Sequence, residues 1–419
     1  MNTILMHHNL KQFVVKTIIT TTVLFLVTLN CFSSTKSIDE NKIVPSKYII
    51  VNGVEGTDMA FKKIVDVFIP GTNSDIQIGV GFIVSYLSES PAKTKQRLET
   101  YLSLSAQYNL PVMVQLDGEQ WWQNRPDLWN FWDKNKPGYN PQNRNNVEWT
   151  AWTPDSAVKI GWRNWGRQLR VLPMPNLMSP IYKEACQAEM KKLVPVIISW
   201  WKALPKEKKY LLAGVKVGWE SSIGVNNWYY PNGNSYLDKP EKDDPTYGLK
   251  TDKIPDRGVI SIGYAAVKTA KIACSGLLTG EMQTEVVRRY LEYLCRLASK
   301  HGVPRERLFT HCGGWSQGET LYSAAVNKYS CPGWSFYKYG SDPQKDITAM
   351  KALESSNAPY WGAVEWLYQG ENTKELWKSA IMNTISAKRI RYMCIYNWGG
   401  IKNNSNAISA IKEILEMNR

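Results

Sequence analysis

The chain is expected to be an α/β protein, a (β/α)8 TIM barrel with long loops after strands three and four. Three observations predict this. Eight short apolar runs of the buried-strand kind recur along the 419 residues. Segments of helical periodicity separate them, and such alternation builds a parallel sheet. No Gly-rich phosphate loop follows an early run, which weakens the open, nucleotide-binding sheet and favours the closed barrel.

The runs are KYIIVNG (47–53), IQIGVGFIVSY (76–86), PVMVQLDG (111–118), LLAGVKVGW (211–219), RLFTHCGG (307–314), CPGWSFY (331–337), YWGAVEW (360–366) and RYMCIYNWGG (391–400). Between them, 93–108 places Leu98, Tyr101, Leu102 and Leu104 on one helical face, and 281–300 does so with Val286, Leu291, Leu294 and Leu297. Ser179-Pro180 and Asp342-Pro343 each supply a capping side chain and a proline suited to the first helical position. Segments 374–387 and 404–418 complete the alternation. Two insertions, 118–178 and 220–260, follow strands, so in a barrel both lie on the C-terminal face where βα loops build sites.

Residues 1–34 read as an export signal. Lys11 and Lys16 precede TIITTTVLFLVTLNCFSS (17–34), an apolar stretch too short to span a bilayer. Two processing routes fit it: lipid anchoring at Cys31, though VTLNC lacks the leucine expected three positions before the cysteine, or simple cleavage near Ser33 or Ser34. Residues 45–419 then form one exported domain, at the cell surface or in the periplasm, with a monomer expected. The six later cysteines lie scattered without CxxC spacing, mostly in apolar runs. Two of the four histidines, His7 and His8, fall in the leader, so no metal site and no cofactor are expected. The net charge of +14 attracts anionic partners, an acidic glycan among them, but the basic residues are dispersed and the chain is exported, which argues against nucleic acid.

Aromatic usage points the same way as the topology. The chain has 18 Trp and 22 Tyr against 9 Phe, so the enriched rings carry a hydrogen-bonding group. Many fall at strand ends. Strand three ends in Asp117, Glu119, Trp121 and Trp122, and strand four in Trp219 and Glu220. Strand five gives His311 and Trp315, six gives Trp334 and Tyr337, seven gives Glu365 and Trp366, and eight gives Tyr396, Asn397 and Trp398. Asn227 and Trp228 follow strand four within GVNNWYYPNGNSY (224–236). Carboxylates beside tryptophans suit sugar chemistry: rings stack on the C–H faces of a sugar, one carboxylic acid protonates the glycosidic oxygen, and a second attacks or activates water. Asp117 is the reserve for an inverting acid or base. Each residue also has a plain structural alternative, since strand-end carboxylates form ion pairs and rings fill cores. The insertion DLWNFWDKNKPGYNPQNRNNVEWTAWTPD (127–155) reads either as the wall of a carbohydrate cleft or as a compact loop held by its own rings.

Across roughly residues 45–419 the chain resembles the large clan of retaining (β/α)8-barrel glycoside hydrolases with glutamates ending strands four and seven. VGWES, GAVEW and YNWGG carry the resemblance. It implies a hydrolase cutting a poly- or oligosaccharide, with Glu220 as acid/base and Glu365 as nucleophile. That clan usually has Asn directly before the acid/base, where this chain has Trp219, and Asn226 or Asn227 is the nearest substitute. Two other readings stand beside it: a non-catalytic glycan-binding barrel of an uptake system, and a polysaccharide lyase acting on an acidic glycan.

Overall fold

The computed structural model describes residues 46–68, 75–119, 121–164, 168–224, 227–228, 260–313 and 318–417. Residues 1–34, the expected export signal, and Cys31 with them lie outside the described residues. Eight parallel strands close into a barrel: β1 (Lys47–Asn52), β2 (Ile76–Ser85), β3 (Val112–Asp117), β4 (Leu212–Ser221), β5 (Leu308–Cys312), β6 (Gly333–Phe336), β7 (Trp361–Trp366) and β8 (Ile390–Ile395). Each pairs with its neighbours in sequence, and β1 meets β8 through Tyr48 opposite Tyr392. All eight apolar runs are barrel strands.

Helices wrap the outside: α1 (Asp58–Phe68), α2 (Pro91–Tyr108), α3 (Pro180–Ala203), α4 (Gly280–Lys300), α5 (Ile347–Glu354), α6 (Lys374–Ile385) and α7 (Ser405–Met417). Helix α3 starts as expected, with the Ser179 hydroxyl accepting the Tyr182 N–H and Pro180 at the first helical position. Asp342-Pro343 caps only a 3-10 turn, and α5 begins beyond it under a second cap, Asp346.

Strands buried on both faces still obey a period of two, and here that period sorts two cores. Ile49, Val51, Val215, Val217, Met393 and Ile395 point outward into the layer shared with the helices. Tyr48, Ile50, Met113, Phe309, Tyr392 and Cys394 point inward and fill the barrel. Above that apolar plug, toward the C-terminal rim, the inward positions turn polar. Gln115 donates to Asn52 across Gly81, whose missing side chain leaves room for both. Lys216 and His311 continue the layer on β4 and β5.

The two long insertions are joined by a small antiparallel sheet in which Gly161–Asn164 pairs with Gln168–Val171 on one side and Asn227–Trp228 on the other. The six cysteines from Cys186 onward are unpaired, five of them buried. No helix among the described residues is long and apolar enough to cross a membrane.

Gly333 marks how tightly the barrel closes. A Cβ there would sit 2.3 Å from both the Thr310 carbonyl and Val364 Cγ1. Gly333→Ala is therefore expected to cost about 1–3 kcal/mol by overpacking. It should lower the urea midpoint with little change in slope, and an unchanged midpoint would contradict this packing.

Candidate functional site

The rim has one cleft lined, among the described residues, by Trp219, Glu220, Tyr337, Glu365, Leu367, Gln369 and Tyr396, with a volume of about 240 Å³. Glu220 and Glu365 are buried at 2% exposure each and come from strands on opposite sides of the barrel. One oxygen of each, together with a ring nitrogen of His311, falls within 4.8 Å of the others.

Both glutamates sit at breaks in strand register. On β4 the pairing with β5 shifts between Val217 and Ser221. Gly218 takes φ +80° there, and Glu220 itself takes φ +45°, a left-handed conformation uncommon for a residue with a side chain. Gly218 also has no room for a Cβ, which would meet Ser221 Oγ at 2.5 Å. On β7 the register against β6 shifts between Ala363 and Glu365. Bulges next to sites re-aim side chains, and these two turn a carboxylate from each strand toward one point.

The electrostatics around the pair are unusual for a protein interior. Burial pushes the Glu365 carboxyl up, while Lys216, the Tyr337 hydroxyl, Glu220 and Arg163 pull it back. Tyr337 donates to Glu365 Oε2 at 2.7 Å, and burial followed by the two glutamates holds its hydroxyl protonated. Beneath lies His311, with Nδ1 2.8 Å from Lys216 Nζ and Nε2 2.8 Å from Ser335 Oγ. Burial, Lys216 and Arg163 drive its pKa well below the usual histidine range, so the ring is neutral. An ammonium has only protons to give, so Nδ1 accepts and Nε2–H donates to Ser335. With both His311 nitrogens engaged in hydrogen bonds, the Glu220–His311–Glu365 grouping reads as a carboxylate pair over a hydrogen-bonded histidine.

The other predicted residues divide sharply. Trp219, Tyr337 and Tyr396 line the cleft. Tyr396 is 39% exposed, and its ring meets Tyr337 edge-on at 6.0 Å. Trp121 is half-buried. The expectation that Trp334 and Trp366 contact substrate is corrected: both are fully buried and point outward between barrel and helices. The Trp334 indole donates to the Tyr322 carbonyl, and Trp366 packs on Trp377. Trp122 is likewise buried, donating to the Pro173 carbonyl with its ring edge-on to Tyr182. Trp398 packs on Phe68 in the outer core. His311 is completely buried and touches the site only from beneath.

Asp117 and Glu119 are also corrected. Asp117 accepts the Glu119 backbone N–H and the Ser85 hydroxyl, and Glu119 accepts the Ser221 hydroxyl. Both are buried polar groups behind the rim rather than cleft walls. Asn227 and Trp228 lie on the inserted sheet by their backbones. Their side chains, Trp315 and Asn226 lie outside the described residues. In the insertion 127–155, Trp129 donates to Trp122 and Trp149 to Arg144, while Asn130, Asn143 and Asn146 tie its carbonyls together. This is the compact-loop alternative, with its amides spent on itself.

Sequence reasoning missed Lys216, Ser335 and Arg163. Arg163, buried on the inserted sheet, contacts Ser222 and feels Glu220, Glu119, Asp117 and Glu365. Of the three, only Lys216 had a signal, a lysine in the middle of an otherwise apolar strand.

No known protein-family model matches the chain, and comparison with curated proteins finds no match. Among solved structures it is similar to a GH5-4 broad specificity endoglucanase from an uncultured bacterium, at 9% identity and TM-score 0.42 over 87% of this chain and 85% of that one. It is similar to a Bacteroidetes-affiliated GH5 cellulase linked with a polysaccharide utilization locus, at 9% identity and TM-score 0.43 over 90% and 92%. An agarase matches at 9% identity and TM-score 0.39 over 76% of this chain, which spans 45% of the agarase's length. At such identities what is shared is the barrel, and the chemistry rests on this chain's own residues.

Burial raises Glu119 from the ordinary glutamate range to about 8. The folded state therefore keeps a proton that the unfolded chain releases near pH ~4.3, and stability falls as pH rises from there through about 8. Glu119→Gln keeps an acceptor for Ser221 and does not titrate. Its stability relative to wild type, measured by urea unfolding, is expected to be higher at pH 8 than at pH 5; a difference independent of pH would contradict the burial argument.

Proposed function

We propose that the protein is a glycoside hydrolase acting on a poly- or oligosaccharide by a retaining double displacement. The observation that carries this reading is the pair of buried carboxyls from opposed strands, with oxygens within 4.8 Å, at the floor of a cleft walled by Trp219, Tyr337 and Tyr396. Retaining enzymes hold their two carboxyl groups ~5–5.5 Å apart, and inverting ones leave a gap of ~6.5–9.5 Å for water. The short gap also favours hydrolysis over a purely glycan-binding barrel.

In this reading Glu365, the carboxylate that accepts from Tyr337 and faces Lys216, attacks the anomeric carbon. Glu220 protonates the departing glycosidic oxygen, then takes the proton of the water that releases the sugar. Trp219 and Tyr396 supply apolar faces for the sugar rings, and Gln369 an amide for hydroxyls. The basic start and apolar stretch of residues 1–34 support export of the enzyme to its glycan.

Glu220→Gln and Glu365→Gln are each expected to cut turnover by about 10²–10⁴-fold or more while glycan binding persists. Reducing-end release across a panel of polysaccharides reads this. Near wild-type activity in either variant would sink the assignment.

A further inference from the structure

Lys216 is the group the proposed chemistry leaves unused. It is 1% exposed inside the barrel, where an unbalanced charge costs several kcal/mol, roughly, even after relaxation. Nothing in the apolar plug below offsets it. Burial lowers the Lys216 pKa, and its surroundings work against that: Nζ is 2.8 Å from His311 Nδ1, lies 5.2 Å from the Trp219 ring centroid, and has Glu365 as its foremost opposite charge. His311 is pinned in turn by Ser335 and sits within 4.8 Å of both glutamate oxygens. Three strands, β4, β5 and β6, thus hold one ammonium at a fixed point under the carboxyl pair.

We propose that Lys216 is a positioning residue for the candidate site: its buried ammonium, fixed by the His311–Ser335 pair, is the counter-charge that keeps Glu365 ionised. The inference rests on the hydrolase reading for its catalytic meaning, but the charge assignment stands on its own geometry. Glu365 is faced by Lys216 and Glu220 from β4, His311 from β5, Tyr337 beyond β6, Cys394 and Tyr396 at β8, and Arg163 from the insertion. Arg163 has Glu220 as its foremost partner. Tyr337, Tyr396 and Cys394 have pKa values raised by burial and stay neutral, and His311 is neutral. That leaves Lys216 as the cation with Glu365 as its foremost partner.

The test is carboxyl ¹³C NMR of the full chain labelled at glutamate Cδ, with the Glu365 signal assigned by its loss in Glu365→Gln. Lys216→Met keeps the volume of the stem and removes the charge. It is expected to raise the Glu365 titration midpoint by about one unit or more, and to move the acidic limb of kcat/KM upward on whichever screened polysaccharide is cut. Ser335→Ala, which unpins His311 and leaves Lys216 in place, should give a smaller shift of the same sign and serves as the deciding variant if Lys216→Met does not fold. An unmoved midpoint, or activity lost evenly across pH, overturns the proposal. A raised midpoint in a chain that cuts no glycan would leave Lys216 standing and sink the hydrolase reading instead.

Discussion

The barrel mouth buries four carboxyls and two cations in a space that tolerates little net charge. Asp117, Glu119, Glu220 and Glu365 face Lys216 and Arg163, and all six are at most 2% exposed. Coulomb energies there far exceed those at a surface, so near-neutrality is the governing constraint. Two cations against four carboxyls favour protons on some of the four. Glu119, raised to about 8 by burial, holds one. Glu220 and Glu365 meet the two cations differently, Arg163 having Glu220 and Lys216 having Glu365 as its foremost opposite charge, and that difference underlies the separate roles proposed for them.

The backbone serves that arrangement. A regular strand presents every second residue to the interior, and regular β4 and β7 would set their rim carboxylates by that period alone. Register breaks at Val217–Ser221 and Ala363–Glu365 override it. On β4 the break depends on Gly218, and it leaves Glu220 in a left-handed conformation that only a tightly determined surrounding maintains. The three-stranded sheet of the insertions brings Arg163 in from outside the barrel proper.

Much of this was legible in the sequence, and the misses have physical causes. All eight strands were readable because a strand buried on both faces leaves a continuous apolar run. Glu220 and Glu365 stood out as carboxylates at the ends of such runs. Trp334 and Trp366 were misread because adjacency in sequence was taken as adjacency in space: each neighbours an inward residue, Ser335 or Glu365, and so points the other way. Loop residues such as Trp149, Asn130 and Asn143 bond their own segment, which composition cannot distinguish from a cleft wall. Lys216 was visible as a charge inside GVKVG, but its partner His311 lies 95 positions away and only strand pairing unites them. Arg163 arrives on an inserted hairpin whose placement no local pattern encodes.

A retaining mechanism requires Glu220 and Glu365 to be close enough for one to attack the sugar directly. The stereochemistry of the first-formed product tests it most directly, by ¹H NMR of the anomeric signals in the first turnovers, before mutarotation scrambles them. With the two carboxyls this close, the new reducing end is expected to appear with the configuration of the bond that was cut. A first product of inverted configuration would contradict it.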